Sequence, residues 1–195
     1  FIVNCVLNGH NRLVGVFAGN YVAAHRACVS SACPYYTFAI TELADILIVG
    51  TGSHARNIWA VGSGPHWAEL VLKEGGTVIL FAPCPDGVSN EHPDVIRYGY
   101  LPLKKVRELV EDGEIKDLSA AAHIVYGGEK IYNKGINCIL VSDGVTREEA
   151  NSLGLEYAET PQEAVNKAFA LHVENARVYV FSGEPFAEFV INYNK

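Results

Sequence analysis

Three short, mainly apolar runs constrain most strongly what this chain can fold into. They cover residues 44–50, 77–82 and 136–141, and small or turn-forming residues follow each one. Runs of this length, rich in Ile, Val and Leu, are typical of parallel strands buried on both faces. Segments with helical spacing separate them. The sequence therefore predicts an α/β layered fold with a mostly parallel sheet flanked by helices, Rossmann-like in kind.

The remaining predicted elements are an N-terminal β-hairpin, six helices and a fourth strand. In chain order they are Ile2–Leu7 and Leu13–Phe17 around Asn8-Gly9, then helices at Tyr21–Ala32, His66–Lys73, Leu103–Val110, Asp117–Tyr132, Thr146–Asn151 and Thr160–Val173, and a strand at Arg177–Phe181. We expect Pro34 to stop the first helix. We also expect Gly75-Gly76 to close the second helix and Gly127-Gly128 to interrupt or bend the fourth.

A chain of 195 residues, 49% of them hydrophobic, suits one compact domain over residues 1–195. It contains no methionine and begins with Phe1 inside an apolar run, so we expect it to be part of a longer polypeptide. Its five cysteines are scattered and include no C-x-x-C pair. This pattern argues against a disulfide framework and a structural zinc site.

The net charge disfavours nucleic acid as a partner, and the hydropathy of the chain disfavours a membrane. The net charge is −7, so the overall field does not attract nucleic acid. No stretch approaches the roughly 20 apolar residues that span a bilayer, and the N-terminus lacks the charged flank of a signal peptide. We expect a soluble, cytoplasmic protein with no membrane or nucleic-acid partner.

Polar and aromatic side chains crowd the stretch that follows the first apolar run. The candidate substrate-binding residues there are His54, Arg56, Asn57, Trp59 and Ser63. Ligands of parallel sheets collect beyond the carboxyl ends of the strands, where these residues are predicted to lie. Arg56 can fork onto a carboxylate, His54 can donate or accept a proton, and Trp59 can exclude water. The alternative is a solvated loop whose tryptophan fills a gap in the core.

Other motifs carry weaker signals. Gly50-Thr51-Gly52 begins like a dinucleotide fingerprint, but Ala55 stands where the third glycine is required. The histidines show no metal-ligand spacing, so we expect no metal site within the chain. His25 reads as a structural helical residue. Cys84 follows the second apolar run without a base to pair with it, and packing and substrate contact both remain open.

Several motifs in one order resemble the C-terminal domain of the nickel-pincer lactate racemase family, over nearly the whole chain. They are Arg12–Asn20, Ala24-His25-Arg26, Ala44–Val49, Asn57-Ile58-Trp59, Lys73–Ile79 and Cys84-Pro85-Asp86-Gly87. The last motif adds Cys84 and Asp86 to the candidate substrate-binding residues. No catalytic residue is expected in the chain.

The resemblance implies a two-domain enzyme with its active site between the halves. The N-terminal half of such enzymes holds a nickel pincer pyridinium nucleotide through a lysine and a histidine, and carries the histidines that act as bases. The C-terminal half grips a small 2-hydroxy acid, which implies the parent's own N-terminal domain as a partner. We expect this chain alone to hold no cofactor and to be inactive, while its parent is a racemase or epimerase.

The chain departs from the family at two positions that contact substrate. In lactate racemases the Asn-x-Tyr element continues with Gln and, three residues later, Lys, whereas this chain has Ala60 and Ser63. A substrate-site tryptophan expected within residues 117–122 is absent, and Ser119 is the nearest equivalent. Loss of the lysine removes a strong carboxylate partner. We therefore expect a 2-hydroxy acid other than lactate, with Arg56 or His54 in the lysine's role.

Two other functions remain open on the sequence alone. One is a non-catalytic α/β binding or scaffold module, in which the substrate contacts have been lost. The other is a nicotinamide-dependent oxidoreductase domain, which the incomplete glycine pattern disfavours.

Overall fold

The computed structural model describes residues 1–52, 55–61, 68–182 and 188–191. For residues 38, 39, 182 and 188–191 it describes the backbone only. The chain forms two compact units, and one domain over residues 1–195 stays a prediction. The first unit is Phe1–Thr41 with Phe186–Lys195, and the second is Glu42–Pro185. A membrane-crossing helix, which must be long and apolar, is not found in the described parts of the chain.

The first unit contains the predicted hairpin. Its strands β1 (Ile2–Leu7) and β2 (Leu13–Gly19) pair in antiparallel fashion. A five-residue connection joins them, in which the side chain of Asn8 accepts hydrogen bonds from the backbone N–H groups of His10 and Arg12. Two further strands, β3 (Thr37–Ile40) and β9 (Glu188–Ile191), form a separate parallel pair that the sequence did not predict.

Helix α1 (Tyr21–Tyr36) begins where the sequence predicts and ends later. The side chain of Asn20 caps its first turn by accepting from the N–H groups of Val22 and Ala23. The predicted stop at Pro34 is wrong because this proline lies in the last turn, where it removes only its own hydrogen bond. The backbone N–H of Thr37 still donates to the carbonyl of Cys33.

The second unit is built on the predicted parallel sheet. Its strands are β4 (Ala44–Gly50), β5 (Leu72–Phe81), β6 (Asn137–Val141), β7 (Glu156–Tyr157) and β8 (Val178–Ser182). All pairings are parallel and the order is β7-β6-β5-β4-β8. The chain therefore adds strands on one side of β4 and then places β8 on the other side. The fold class predicted from the three apolar runs is confirmed.

Six helices accompany this sheet among the described residues for which helix bounds are given. They are α2 (Ile58–Val61), α3 (Pro93–Tyr98), α4 (Leu103–Glu111), α5 (Leu118–Asn133), α6 (Arg147–Ser152) and α7 (Pro161–Ala170). Thr160 caps α7 through the N–H of Glu163, and the helix ends at Ala170 rather than near Val173. Helix α3 was not predicted.

The core lies on both faces of the sheet. On one face, Ile46, Ile79 and Ile139 form a buried cluster with Ala164 and Ala168 of α7. The small alanine side chains let the helix approach the strands closely. The next residues along the strands, Leu47, Leu80 and Leu140, point to the opposite face and are also buried. Burial on both faces explains why these strands read as continuous apolar runs.

The glycines at 75 and 76 lie in a strand, so the prediction that they close a helix is wrong. Residues 66 and 67 of the predicted helix lie outside the described residues, 68–71 are helical, and β5 begins at Leu72. Ala44 pairs with Leu72 while Ile46 pairs with Thr77, so extra residues bulge out of β5. Gly75 has a φ of 73°, which suits glycine in such a bulge.

Gly127 and Gly128 do not interrupt or bend α5, which is one continuous helix. A Cβ at Gly127 would lie 2.3 Å from the ring of Tyr100, and one at Gly128 would lie 2.0 Å from the carbonyl oxygen of Leu101. The two glycines therefore allow the 100–101 segment to pack directly on the helix backbone. Close approach, rather than flexibility, accounts for them.

Candidate functional site

The topology of the second unit marks one edge of its sheet as the place for a ligand. The strand order reverses between β4 and β8, and the loops at the carboxyl ends of strands beside such a reversal diverge and leave a crevice. Residues after β4 and β5 and the start of α5 belong to this edge, because a helix joining two parallel strands begins at the carboxyl end of the first.

The loops after β4 and β5 run side by side and are joined through their backbones. The N–H groups of Ile58 and Trp59 donate to the carbonyls of Gly87 and Val88, at 3.1 and 3.2 Å. In the same way the N–H of Asp86 donates to the carbonyl of Arg56 at 2.8 Å. Two of the predicted site segments therefore form one surface.

Arg56 and Asp86 bind each other. Arg56 Nε lies 2.7 Å from Asp86 Oδ2 and Nη2 lies 2.8 Å from Oδ1, which is the two-bond geometry predicted for a substrate carboxylate. The hydrogen bond to Asp86 raises the pKa of the Arg56 guanidinium. The side chain of Arg56 remains 66% exposed. Contact of either residue with substrate stays a prediction, and Arg56 would have to share or leave Asp86 to make it.

Asn57 and Cys84 have structural partners. Asn57 Oδ1 accepts from the N–H of Ala60 at 3.0 Å, at the start of α2. Cys84 is buried, and burial raises its thiol pKa to about 11, so the thiol is protonated at neutral pH. A Cβ on Gly144 would lie 1.8 Å from the carbonyl oxygen of Cys84, so the backbone is tightly packed here. His54 and Ser63 lie outside the described residues.

Trp59 is part of a cluster of three rings. Its ring centroid lies 3.8 Å from that of His92 and 4.5 Å from that of His123, with interplanar angles of 16° and 17°. We call Trp59, His92 and His123 the aromatic stack. Trp59 comes from α2, His92 from the loop after β5 and His123 from α5, so three separate segments of the sheet edge meet in it.

Asp117 orients the first of these imidazoles. His92 Nδ1 lies 2.6 Å from Asp117 Oδ2, while Asp117 Oδ1 accepts from the N–H groups of Ser119 and Ala120 and caps α5. The hydrogen bond from His92, followed by that from Ala120, lowers the pKa of the Asp117 carboxyl. Asp117 is therefore an ionised acceptor. The His92 side chain is 21% exposed, so it is only partly covered.

His123 has a different electrostatic environment. Burial lowers the pKa of His123 to about 4, and a positive charge on His92, whenever that ring is protonated, acts in the same direction. Its Nε2 lies 3.4 Å from the hydroxyl of Tyr100, whose own pKa is raised by burial. His123 is therefore a neutral ring at physiological pH.

Comparison with known proteins finds similarity to lactate racemases. No family model matches the chain. The chain is 28% identical over 196 residues to the lactate racemase of Lactiplantibacillus plantarum, covering 92% of this chain and 42% of that protein. It is 31% identical over 96 residues to the lactate racemase of Thermoanaerobacterium thermosaccharolyticum, covering 47% of this chain and 22% of that protein. The chain is therefore similar to lactate racemases over most of its length.

Solved structures agree on the fold. The lactate racemase apoprotein from T. thermosaccharolyticum superposes with a TM-score of 0.80 at 20% identity, covering 97% of this chain and 45% of that one. A structural-genomics protein from Thermotoga maritima gives a TM-score of 0.74 at 14% identity, covering 97% and 48%. This lactate racemase-like chain spans less than half the length of the curated relatives it matches.

The described residues of this lactate racemase-like chain do not fit a resident nickel centre. In the ranges 1–52, 55–61, 68–182 and 188–191, no three His, Cys, Asp or Glu side chains lie together in a way that could hold a metal ion. His92 and Asp117 are a pair, and His123 is turned to Tyr100.

Sequence reasoning found Trp59 and missed its neighbours. The sequence spacing of His92 and His123 argues against metal binding and indicates no other role for them. The sequence does carry a signal for Asp117. An aspartate at the start of a predicted helix is a typical N-cap residue. Nothing in the local sequence indicates that this cap would also hold His92.

Proposed function

We propose that this lactate racemase-like chain is the substrate-binding domain of a nickel-pincer-dependent 2-hydroxy acid racemase or epimerase. The nickel nucleotide and the general bases belong to another domain in this proposal. The observation that carries it is the aromatic stack at the carboxyl edge of the sheet, in a chain related to lactate racemases over 92% of its length. The nucleotide would accept and return the hydride of the substrate carbon.

The contribution of this domain is positioning. Trp59 and the imidazole rings beside it form a wall of planar groups that excludes water from one side of a small acid. A reaction that removes and returns hydrogen at one carbon requires the substrate to be held against the cofactor in a narrow range of orientations. Groups that touch the substrate without reacting lower the barrier in this way.

The proposed substrate is a 2-hydroxy acid other than lactate. Ala60 and Ser63 stand where the resemblance implies a glutamine and a lysine. An alanine and a serine supply neither the cation nor the amide, and they leave more room. Arg56 forks onto Asp86, so it is not a simple substitute for the lysine. A larger or more polar acid fits this combination better than lactate does.

Racemisation of a panel of acids tests the proposal. The protein, with its partner domain and nickel nucleotide, is incubated with single enantiomers of 2-hydroxy and sugar acids, and the opposite enantiomer is measured by chiral chromatography. We expect turnover of at least one acid larger than lactate. In Trp59→Ala, loss of the wall should lower kcat/KM by about 10- to 100-fold, and Trp59→Phe should retain more.

A matched control is Tyr132→Ala, which removes an exposed aromatic side chain of α5 outside the aromatic stack. Its kcat/KM should stay near that of the unmodified protein. If the nickel-loaded protein interconverts none of the acids, the proposed function is wrong.

A further inference from the structure

We propose that His92 is a substrate-contacting residue whose Nε2, in the neutral ring, accepts a hydrogen bond from the 2-hydroxyl group of the acid as it binds, before that hydrogen passes to the general base of the other domain. Asp117 serves as the positioning residue that sets its tautomer. This inference rests on the proposed function for the identity of the acid. It rests on the structure for the orientation of the imidazole and for the contact of its Nδ1 with Asp117.

The tautomer follows from the partners of Asp117. An ionised carboxylate has no hydrogen to donate, so the 2.6 Å contact with Asp117 Oδ2 requires a hydrogen on His92 Nδ1. In the neutral ring the lone pair is then on Nε2, on the side of the ring away from Asp117. Within the described part of the chain, His92 Nε2 makes no hydrogen bond to the protein.

The ring is held in place from two directions. Asp117 is itself fixed, because its other oxygen accepts the N–H groups of Ser119 and Ala120 at 2.9 and 3.2 Å. The face of His92 stacks on Trp59 at 3.8 Å, and its backbone N–H donates to Ser89 Oγ at 3.3 Å. A half-buried acceptor held this firmly at the ligand edge loses little conformational entropy on binding.

His123 does not have the same role. Its Nε2 faces the hydroxyl of Tyr100, and its burial is deep enough to lower its pKa to about 4. Of the two imidazoles, only His92 therefore combines an oriented tautomer with an open acceptor. An acid that lacks the 2-hydroxyl should bind without using His92.

Asp117→Asn gives a sharp test because it should keep the cap and reverse the tautomer. The two backbone N–H groups of α5 hold the oxygen of the introduced carboxamide, which turns its NH2 group toward His92 Nδ1. Nδ1 must then accept, and Nε2 carries the hydrogen instead. The acceptor is lost while Trp59, His92 and the helix start keep their positions.

The experiment uses ¹⁵N-histidine NMR of the chain, titrated with 2-hydroxybutanoate and with butanoate, which differ only in the hydroxyl. We expect the ¹⁵N chemical shift of His92 Nε2 to change when 2-hydroxybutanoate is added and to remain unchanged when butanoate is added. Asp117→Asn and His92→Phe should each weaken 2-hydroxybutanoate binding by about tenfold, the effect of one hydrogen bond. Butanoate binding should be unchanged.

Equal shifts with the two acids, no shift with either, or unchanged 2-hydroxybutanoate binding in both variants would overturn the inference. His92→Gln, which restores an acceptor, should recover part of the lost affinity. The outcomes also separate the two proposals. Racemisation with unaltered kcat/KM in His92→Phe contradicts the role of His92 alone, whereas hydroxyl-dependent shifts without any racemisation contradict the proposed function alone.

Discussion

His123 packs on Trp59 and approaches the hydroxyl of Tyr100, and its burial lowers its pKa to about 4. In an unfolded chain a histidine has a pKa near 6.5. The unfolded state therefore binds more protons between these two values, so stability is fully present above about pH 6.5 and falls as the pH decreases toward 4. The loss approaches about 3 kcal/mol if the whole shift is realised.

We therefore predict that His123→Phe flattens this dependence. Phenylalanine retains a planar ring against Trp59 and has no proton to bind. Urea unfolding at several values between pH 7 and pH 4.5 measures the free energy of unfolding of each form. As the pH falls, the free energy of unfolding of His123→Phe should decrease less than that of the unmodified protein. A constant difference across this range would mean that His123 does not titrate as its burial indicates.

Helix α5 shows how a pair of glycines can stabilise a helical element through tertiary contact. In isolation Gly127 and Gly128 each weaken a helix by up to about 1 kcal/mol relative to alanine. Here the helix backbone lies directly against Tyr100 and Leu101, where a Cβ would come within 2.3 and 2.0 Å of their atoms. The clash that a Cβ would cause at either position is larger than the gain in helix propensity that alanine would bring.

Gly127→Ala and Gly128→Ala should accordingly destabilise the protein by about 1–3 kcal/mol each, despite the better helix propensity of alanine. Ser119→Ala, at an exposed position of the same helix, is the control and should stay within about 0.5 kcal/mol. Urea denaturation followed by circular dichroism compares the three variants. A stabilising effect of alanine at 127 and 128 would show that the 100–101 segment can move away at little cost.

The five-stranded sheet is the element on which the whole second unit depends. Ile79 lies in its central strand, is fully buried, and packs in the cluster with Ile46 and Ile139. Ile79→Ala should lower the free energy of unfolding by about 2–5 kcal/mol, because it leaves a cavity in a close-packed layer. Val180→Ala on β8, where the side chain is 68% exposed, should cost far less. Similar losses at both positions in chemical denaturation would contradict this account of the core.

Prediction from sequence succeeded where the physical cause is local or periodic. The buried runs at 44–50, 77–82 and 136–141 correspond to β4, β5 and β6 because burial on both faces demands continuous apolar side chains. The cap at Thr160 was predictable for a similar reason, since it depends on residues only three positions apart. Gly127 and Gly128 misled because their effect depends on what packs beside them, whereas Pro34 misled because it lies in the last helical turn.

The amino-acid sequence by itself determined the α/β layering and the likeness to lactate racemases, and it predicts the edge of the sheet where a ligand would lie. Only the tertiary structure decided which side chains meet there. Trp59, His92, Asp117 and His123 are separated by a strand, two helices and several loops, and no local pattern relates them. Their contact arises because parallel strands bring successive loops to one edge, a consequence of packing between distant segments that residue spacing does not encode.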